Sequence, residues 1–145
     1  MTAAEFLSQI RRLEAKRRVV IREIEAMRAE ALGTALKLDG VPHSTAISDT
    51  TGELAARLAD KTAELEKLSH YYWYKRCKIV EMILQMNLPP EKSHYIEVLQ
   101  LRYVEGLTQY ETAERLGYAY RWTQTLQERA LDAFAEQYKD VLQGE

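Results

Sequence analysis

LQLRYVEGLTQYETAERLGYAYRWTQTLQERAL, residues 99–131, decides how the chain is read. Within it Glu105-Gly106-Leu107 supplies a tight turn, because a glycine takes a positive φ at little steric cost. Thr108 and Glu111 then form the signature of a capping box, in which the threonine oxygen accepts a backbone amide and the glutamate reaches back to the cap. Gly117 ends that helix, and after Tyr118-Ala119 a last helix runs from about Tyr120 to Tyr138. At about 100° per residue, Thr123, Leu126, Ala130 and Phe134 fall on one side of it, while Tyr120, Arg121, Gln124, Thr125 and Glu128 fall on the other. The first set predicts a core face and the second an outward face, with Trp122 between them packed on the preceding helix. Helix, short turn, short helix, short turn, longer helix is the layout of a helix-turn-helix.

Upstream, Pro90 suits the first turn of a helix running to about Val104, with Ile96, Leu99 and Tyr103 on one face. Farther back the apolar residues repeat at steps of four and three: Phe6, Ile10, Leu13, then beyond Arg17 the positions Val20, Ile24, Met27 and Ala31. Gly33 and the segment 38–48, with Asp39-Gly40 and Pro42, break that period and supply turn chemistry. Ser48 or Asp49 can cap a second helix, whose seam runs Leu54, Leu58, Lys61, Leu65, Leu68, Tyr72, Lys75, Ile79, Met82 and Met86 before Pro89-Pro90 stops it. Two long helices joined by about ten residues most simply fold back on each other.

The expected fold is therefore all-α, a long antiparallel coiled-coil hairpin over residues 1–88 with its loop at about 38–48, followed by a three-helix helix-turn-helix at 89–145. One apolar stripe per helix buries little area. A homo-oligomer, dimer or higher, is expected to form along Ile10, Leu13, Val20, Ile24 and Met27 of the first helix and Leu58, Leu65, Leu68, Tyr72 and Ile79 of the second. An isolated intramolecular hairpin is the alternative.

At 145 residues the chain holds one domain, or one small domain with an extension, which excludes a large multidomain enzyme. Charged residues at 29%, an apolar share of 46% and a mean hydropathy of −0.41 place it among globular chains rather than disordered or membrane ones. No apolar run reaches the length of a membrane span and no signal-peptide core opens the chain, so a cytoplasmic protein is expected. Cys77 is the single cysteine, which suits a reducing compartment. The overall charge of −2 is unevenly spread: residues 1–90 carry 14 basic and 12 acidic groups, net +2, whereas residues 91–145 carry 6 and 10, net −4.

The outward set on the last helix has the chemistry of base recognition. Arg121 can fork onto guanine O6 and N7, Gln124 can pair with adenine N6 and N7, and the Thr125 hydroxyl serves either. Arg11, Arg12, Lys16, Arg17, Arg18 and Arg22 form a basic run that reads as a solvated or ion-paired face rather than a DNA contact. Four adjacent aromatics in the segment 70–78, HYYWYKRCK, exceed what one seam can bury, so part of them is expected to dock the C-terminal helices or a second subunit. His70 and Cys77 do not make a zinc set. Neither a phosphate loop nor a nucleophile elbow is present, so no enzyme activity, metal or cofactor is expected.

The stretch 99–131 resembles the fourth conserved region of bacterial sigma factors, where an L-R-Y-x-E-G-L-x-x-x-E-[IV]-A-x-x-L-G-x-S motif precedes the recognition helix. The order of helical hairpin, small-residue loop and C-terminal module is similar to phage and prophage proteins of the RinA/ArpU type, described as late-gene regulators. The resemblance covers about 33 residues for the sigma-like motif and is looser over the whole chain. It implies a DNA-binding transcriptional regulator in a bacterial host, with Tyr120, Arg121, Gln124, Thr125, Glu128 and Arg129 at the DNA, double-stranded DNA as partner and RNA polymerase as a second one. Departures are Ala119 where a Ser or Thr caps the recognition helix, and Thr112 and Thr123 where Ile or Val is usual, each able to bond the carbonyl four residues back. The basic residues that line the family's helix are thinned to Arg121 and Arg129. Other readings from the same residues are an adaptor binding polymerase or a phage packaging component, and a terminase-type DNA-recognition subunit.

Overall fold

A computed structural model describes residues 1–38 and 45–144, with side chains described for 1–33 and 52–144. All its regular elements are helical, with no strand among the described residues. They are α1 (Ala3–Leu7), α2 (Gln9–Leu38), α3 (Thr45–Leu84), α4 (His94–Leu99), α5 (Gln109–Leu116), α6 (Tyr120–Gln137) and α7 (Lys139–Gly144). None is long and apolar enough to cross a membrane among these residues.

The chain divides into two compact units, Met1–Arg12 with Tyr72–Glu145, and Leu13–Tyr71. This differs from a boundary at 88/89, and the reason lies at both ends of the first unit. Thr2 and Glu5 form a capping box, Glu5 N–H donating to Thr2 Oγ1 at 3.2 Å and Thr2 N–H to Glu5 Oε2 at 3.0 Å, which starts a helix the seam pattern had run together with α2. α1 then lays Ala3, Phe6 and Leu7 into the core of the C-terminal helices, with the Phe6 ring 6.0 Å from that of Phe134. Phe6 is therefore no coiled-coil seam residue. The last turns of α3 and the residues just beyond it join the same unit: Met82, Ile83 and Met86 are buried, Tyr138 Oη donates to the Met82 carbonyl, and the Gln137 amide donates to the Gln85 carbonyl at 3.0 Å.

Between α3 and α5 the expected single helix from Pro90 is three pieces. A 3-10 turn at Pro90–Lys92 precedes α4, and the chain then widens into a π turn over Gln100–Val104, closed by Glu105 N–H donating to the Gln100 carbonyl at 3.0 Å. Tyr95, Val98 and Leu99 are buried and Ile96 only half so, and the added residue of the π turn lets Leu101, Tyr103 and Val104 all reach the core.

Within Leu13–Tyr71, α2 and α3 lie side by side and antiparallel. Arg17 Nε donates to Ser69 Oγ at 3.1 Å, while six residues along α2, Glu23 pairs with Lys61 at 2.7 Å. Lys61, a cation in the seam, also pairs with Glu64 at 3.2 Å, and Arg17 with Glu14 at 2.9 Å, so the charged interruptions at these two positions are neutralised. α2 continues through Gly33 to Leu38, and α3 is helical from Thr45, which places Ser48 and Asp49 inside it rather than at its cap. Asp39-Gly40 and Pro42 lie outside the described residues.

The side chains assigned to oligomerisation are largely covered within one chain. Ile10, Tyr72 and Ile79 are buried in the first unit and Leu13, Val20 and Ile24 in the second, with Met27, Leu58, Leu65 and Leu68 half-buried. The seam closes on the chain itself because both of its halves are present on one polypeptide.

Candidate nucleic-acid interface

The capping box that starts α5 forms as its spacing requires. Glu111 N–H donates to Thr108 Oγ1 at 3.2 Å, and Thr108 N–H to Glu111 Oε1 at 3.3 Å. At the other end Gly117 takes φ +72°, its N–H and that of Tyr118 closing onto the carbonyls of Glu114 and Ala113 at 3.3 and 3.0 Å. Two residues later α6 begins without a side-chain cap, since Ala119 has extended backbone but no oxygen to offer. Ala119→Ser should therefore raise stability by about 0.5 to 2 kcal/mol in a urea titration, leaving the rest of the fold unchanged.

α6 is anchored by Thr123, Leu126, Ala130 and Phe134, all buried, which is the face its spacing assigns to the core. Thr112 and Thr123 are fully buried yet satisfied, each hydroxyl donating to the carbonyl four residues back, Thr108 at 2.8 Å and Ala119 at 3.0 Å. A polar network locks the rotation of α6 against α5 and the π turn. Arg102 Nε donates to Gln127 Oε1 at 2.8 Å, Gln109 Nε2 donates to the same oxygen at 3.0 Å, and Gln127 Nε2 donates to Tyr103 Oη at 3.2 Å. Arg102 also donates to the Leu107 carbonyl, and Arg11 to the Arg102 carbonyl at 3.1 Å, so the turn before α5 is tied from both sides. Burial pushes the Tyr103 phenol above its ordinary value, against the opposing pull of the Arg102 charge.

With that rotation set, Arg121, Gln124 and Glu128 are exposed, and Thr125 is half-buried with its hydroxyl donating to the Arg121 carbonyl at 3.2 Å. Arg121 and Glu128 have no ion-pair partner among the described residues. Tyr120 is not free to the same degree, because its ring stacks on Tyr110 at 4.3 Å with 23° between the planes. Trp122 stands 42% exposed, with the Arg129 guanidinium 5.4 Å from its ring centre. Seven residues separate the two, which brings them to the same side of the helix two turns apart. Arg129 is thus positioned beside Trp122 on one flank, the tyrosine pair marks the other flank, and Arg121, Gln124 and Thr125 lie between.

Sequence reading missed Tyr110, Arg102, Gln109 and Gln127. The last three are polar residues at element ends and on the edge of the core face of α6, and their convergence on one amide oxygen needs three separate segments in place. Tyr110 follows a capping threonine by two residues, a position with no sequence signal for stacking. Compared with models of known protein families, with curated proteins and with solved structures, the chain matches none of them.

Proposed function

We propose that the chain is a sequence-specific DNA-binding transcriptional regulator, with α4, α5 and α6 acting as a helix-turn-helix of the sigma region-four kind and α6 entering the major groove of a duplex. The observation that carries this reading is the outward placement of Arg121, Gln124 and Thr125 on a helix whose opposite face is fully anchored. A guanidinium and a carboxamide one turn apart suit neighbouring guanine and adenine edges. Ala119, uncapped, leaves the first amides of α6 for phosphate oxygens. The paired α2 and α3 fit the hairpin of the phage and prophage regulators that the sequence resembles, with RNA polymerase as the second partner.

Charge opposes tight nonspecific binding, because residues 91–145 are net −4 and Glu128 and Asp132 follow the reading residues on α6. Specific contacts, a second copy or a basic partner then supply what phosphate neutralisation does not. Selection of bound sequences from random DNA tests the reading directly. On the selected site, Arg121→Ala and Gln124→Ala should each lose about 1 to 3 kcal/mol of discrimination while the fold stays intact by circular dichroism. Footprints unchanged by both substitutions would remove α6 from the groove.

One set of observations favours an adaptor that binds a protein instead. Tyr110, Tyr118, Tyr120 and Trp122 are all exposed near the start of α6, and tyrosine, tryptophan and arginine are enriched at protein interfaces. Recovery of a defined protein partner on that surface, together with no retarded DNA band at any salt concentration, would select this reading.

A further inference from the structure

Of the adjacent aromatics on α3, Tyr72 is buried, whereas Trp73 is 51% and Tyr74 62% exposed. The rotation of α3 is fixed from the opposite side, where Tyr72, Ile79, Met82 and Ile83 are buried in the first unit. At about 100° per residue the outward side then carries, in order around the helix, Arg76, Trp73, Cys77, Tyr74 and Lys78. Cys77 and Lys78 are exposed and Arg76 is half-buried. Two aromatic rings thus lie between two cations.

The Trp73 ring is held in place. Tyr72 meets it near edge-on, 5.1 Å between centroids at 70°, and the Arg76 guanidinium stands 5.4 Å from its centre. A ring already ordered loses little freedom when a ligand stacks on it. Charge then narrows the ligand. Residues 67–80 carry four cations, Lys67, Lys75, Arg76 and Lys78, and no carboxylate. Neither Arg76 nor Lys78 has an ion-pair partner among the described residues. A second copy on this face would bring the same cations against them, and an acidic peptide supplies anions without a regular series of flat rings. A nucleic-acid strand repeats one phosphate and one base per unit, which matches rings flanked by cations. A single strand offers its base faces, whereas a duplex has already stacked them on one another.

We propose that this face of α3 binds single-stranded nucleic acid, with bases stacking on Trp73 and Tyr74 and backbone phosphates pairing with Arg76 and Lys78. The site shares no residue with the outward face of α6, and it selects for exposed bases rather than for a sequence. It also draws on the basic part of the first unit. Residues 91–145 are net −4, but residues 1–12 and 72–90 of the same unit carry five cations against two anions, and three of the five are Lys75, Arg76 and Lys78.

Trp122→Phe leaves Trp73 as the one tryptophan of the chain. In that full-length variant, oligothymidylate of about 15 nucleotides at low salt should quench the tryptophan emission, and the same strand paired with oligoadenylate should not. With a labelled strand and the parent chain, Trp73→Ala and Tyr74→Ala should each weaken binding about fivefold or more. Lys78→Gln should lower the slope of log affinity against log salt by about 0.7. Helix content should be kept in all three, because each side chain points outward. Arg121→Ala should leave strand binding unchanged, so failure of this site and failure of the α6 reading are told apart. Absence of quenching at low salt overturns the proposal, as does a duplex bound as tightly as the strand with the same losses in the variants. Capture of an acidic protein through Trp73 and Tyr74 by a chain that leaves the strand unbound overturns it as well.

Discussion

Phe134→Ala should lower the free energy of unfolding by about 3 to 5 kcal/mol. The ring is fully buried and lies between Phe6 at 6.0 Å and Tyr138 at 4.7 Å, so truncation opens a cavity where α1, α6 and the end of the chain meet. Neighbouring side chains cannot collapse into it without shifting α1, which is only five residues long and is held to α6 by Phe6 and its apolar neighbours. Urea unfolding measures the loss. Hydrogen exchange locates it, since the amides of Phe6 to Ile10 should lose protection before those of the α6 interior. Phe134→Leu retains much of the volume and should cost well under half as much. A Phe134→Ala loss below about 1 kcal/mol would mean that this junction is loosely packed and that α1 is not part of the core.

Arg102→Ala should cost about 2 to 3 kcal/mol, the range for losing hydrogen bonds from a charged group while stranding their acceptors. The Gln127 amide oxygen keeps only its bond from Gln109, and the Leu107 carbonyl loses the Arg102 donor. Arg102→Lys should recover little of this, because an ammonium lacks the planar fork that serves two acceptors at once. A spectroscopic sign accompanies the stability change. Burial already holds the Tyr103 phenol above 10.0, and removing the nearby Arg102 charge should move its titration further up. A folded pKa above the unfolded one means that Tyr103 contributes its full stability below about pH 10 and loses it as pH rises through the folded value. Ultraviolet titration of tyrosinate reads the shift. An unchanged Tyr103 titration, with stability also unchanged, would show that the network does not form in solution. If the proposed DNA reading holds, Arg102→Ala should also weaken specific binding without touching a base, because the rotation of α6 is what aims Arg121 and Gln124.

Local chemistry was legible residue by residue. The Thr108 and Glu111 pair announced its helix start, Gly106 and Gly117 announced their turns, and the spacing of Thr123, Leu126, Ala130 and Phe134 announced the inner face of α6. Each depends on neighbours within a few positions, where backbone geometry dictates what a side chain can reach. The Thr2 and Glu5 box was equally local and equally readable, but the four-three apolar pattern running on from Phe6 masked it, since a periodic pattern does not say which partner covers it. The same ambiguity affected the seam residues. Ile10, Leu13, Val20, Ile24, Tyr72 and Ile79 carry an apolar pattern that names no partner, and in the structure they are buried within the one chain.

The sequence by itself determined that the chain is helical, where α5 and α6 start and stop, and which face of α6 turns inward, because these follow from capping chemistry and from the angle each residue adds to a helix. Only the tertiary structure decided that α1 belongs with the C-terminal helices, that the π turn interrupts the segment before α5, and that Arg102, Gln109 and Gln127 meet on one oxygen. Those outcomes depend on contacts between residues up to 128 apart, as Phe6 and Phe134 are, and apolar burial carries no address: it rewards whichever surfaces come together with the fewest voids and unpaired polar groups.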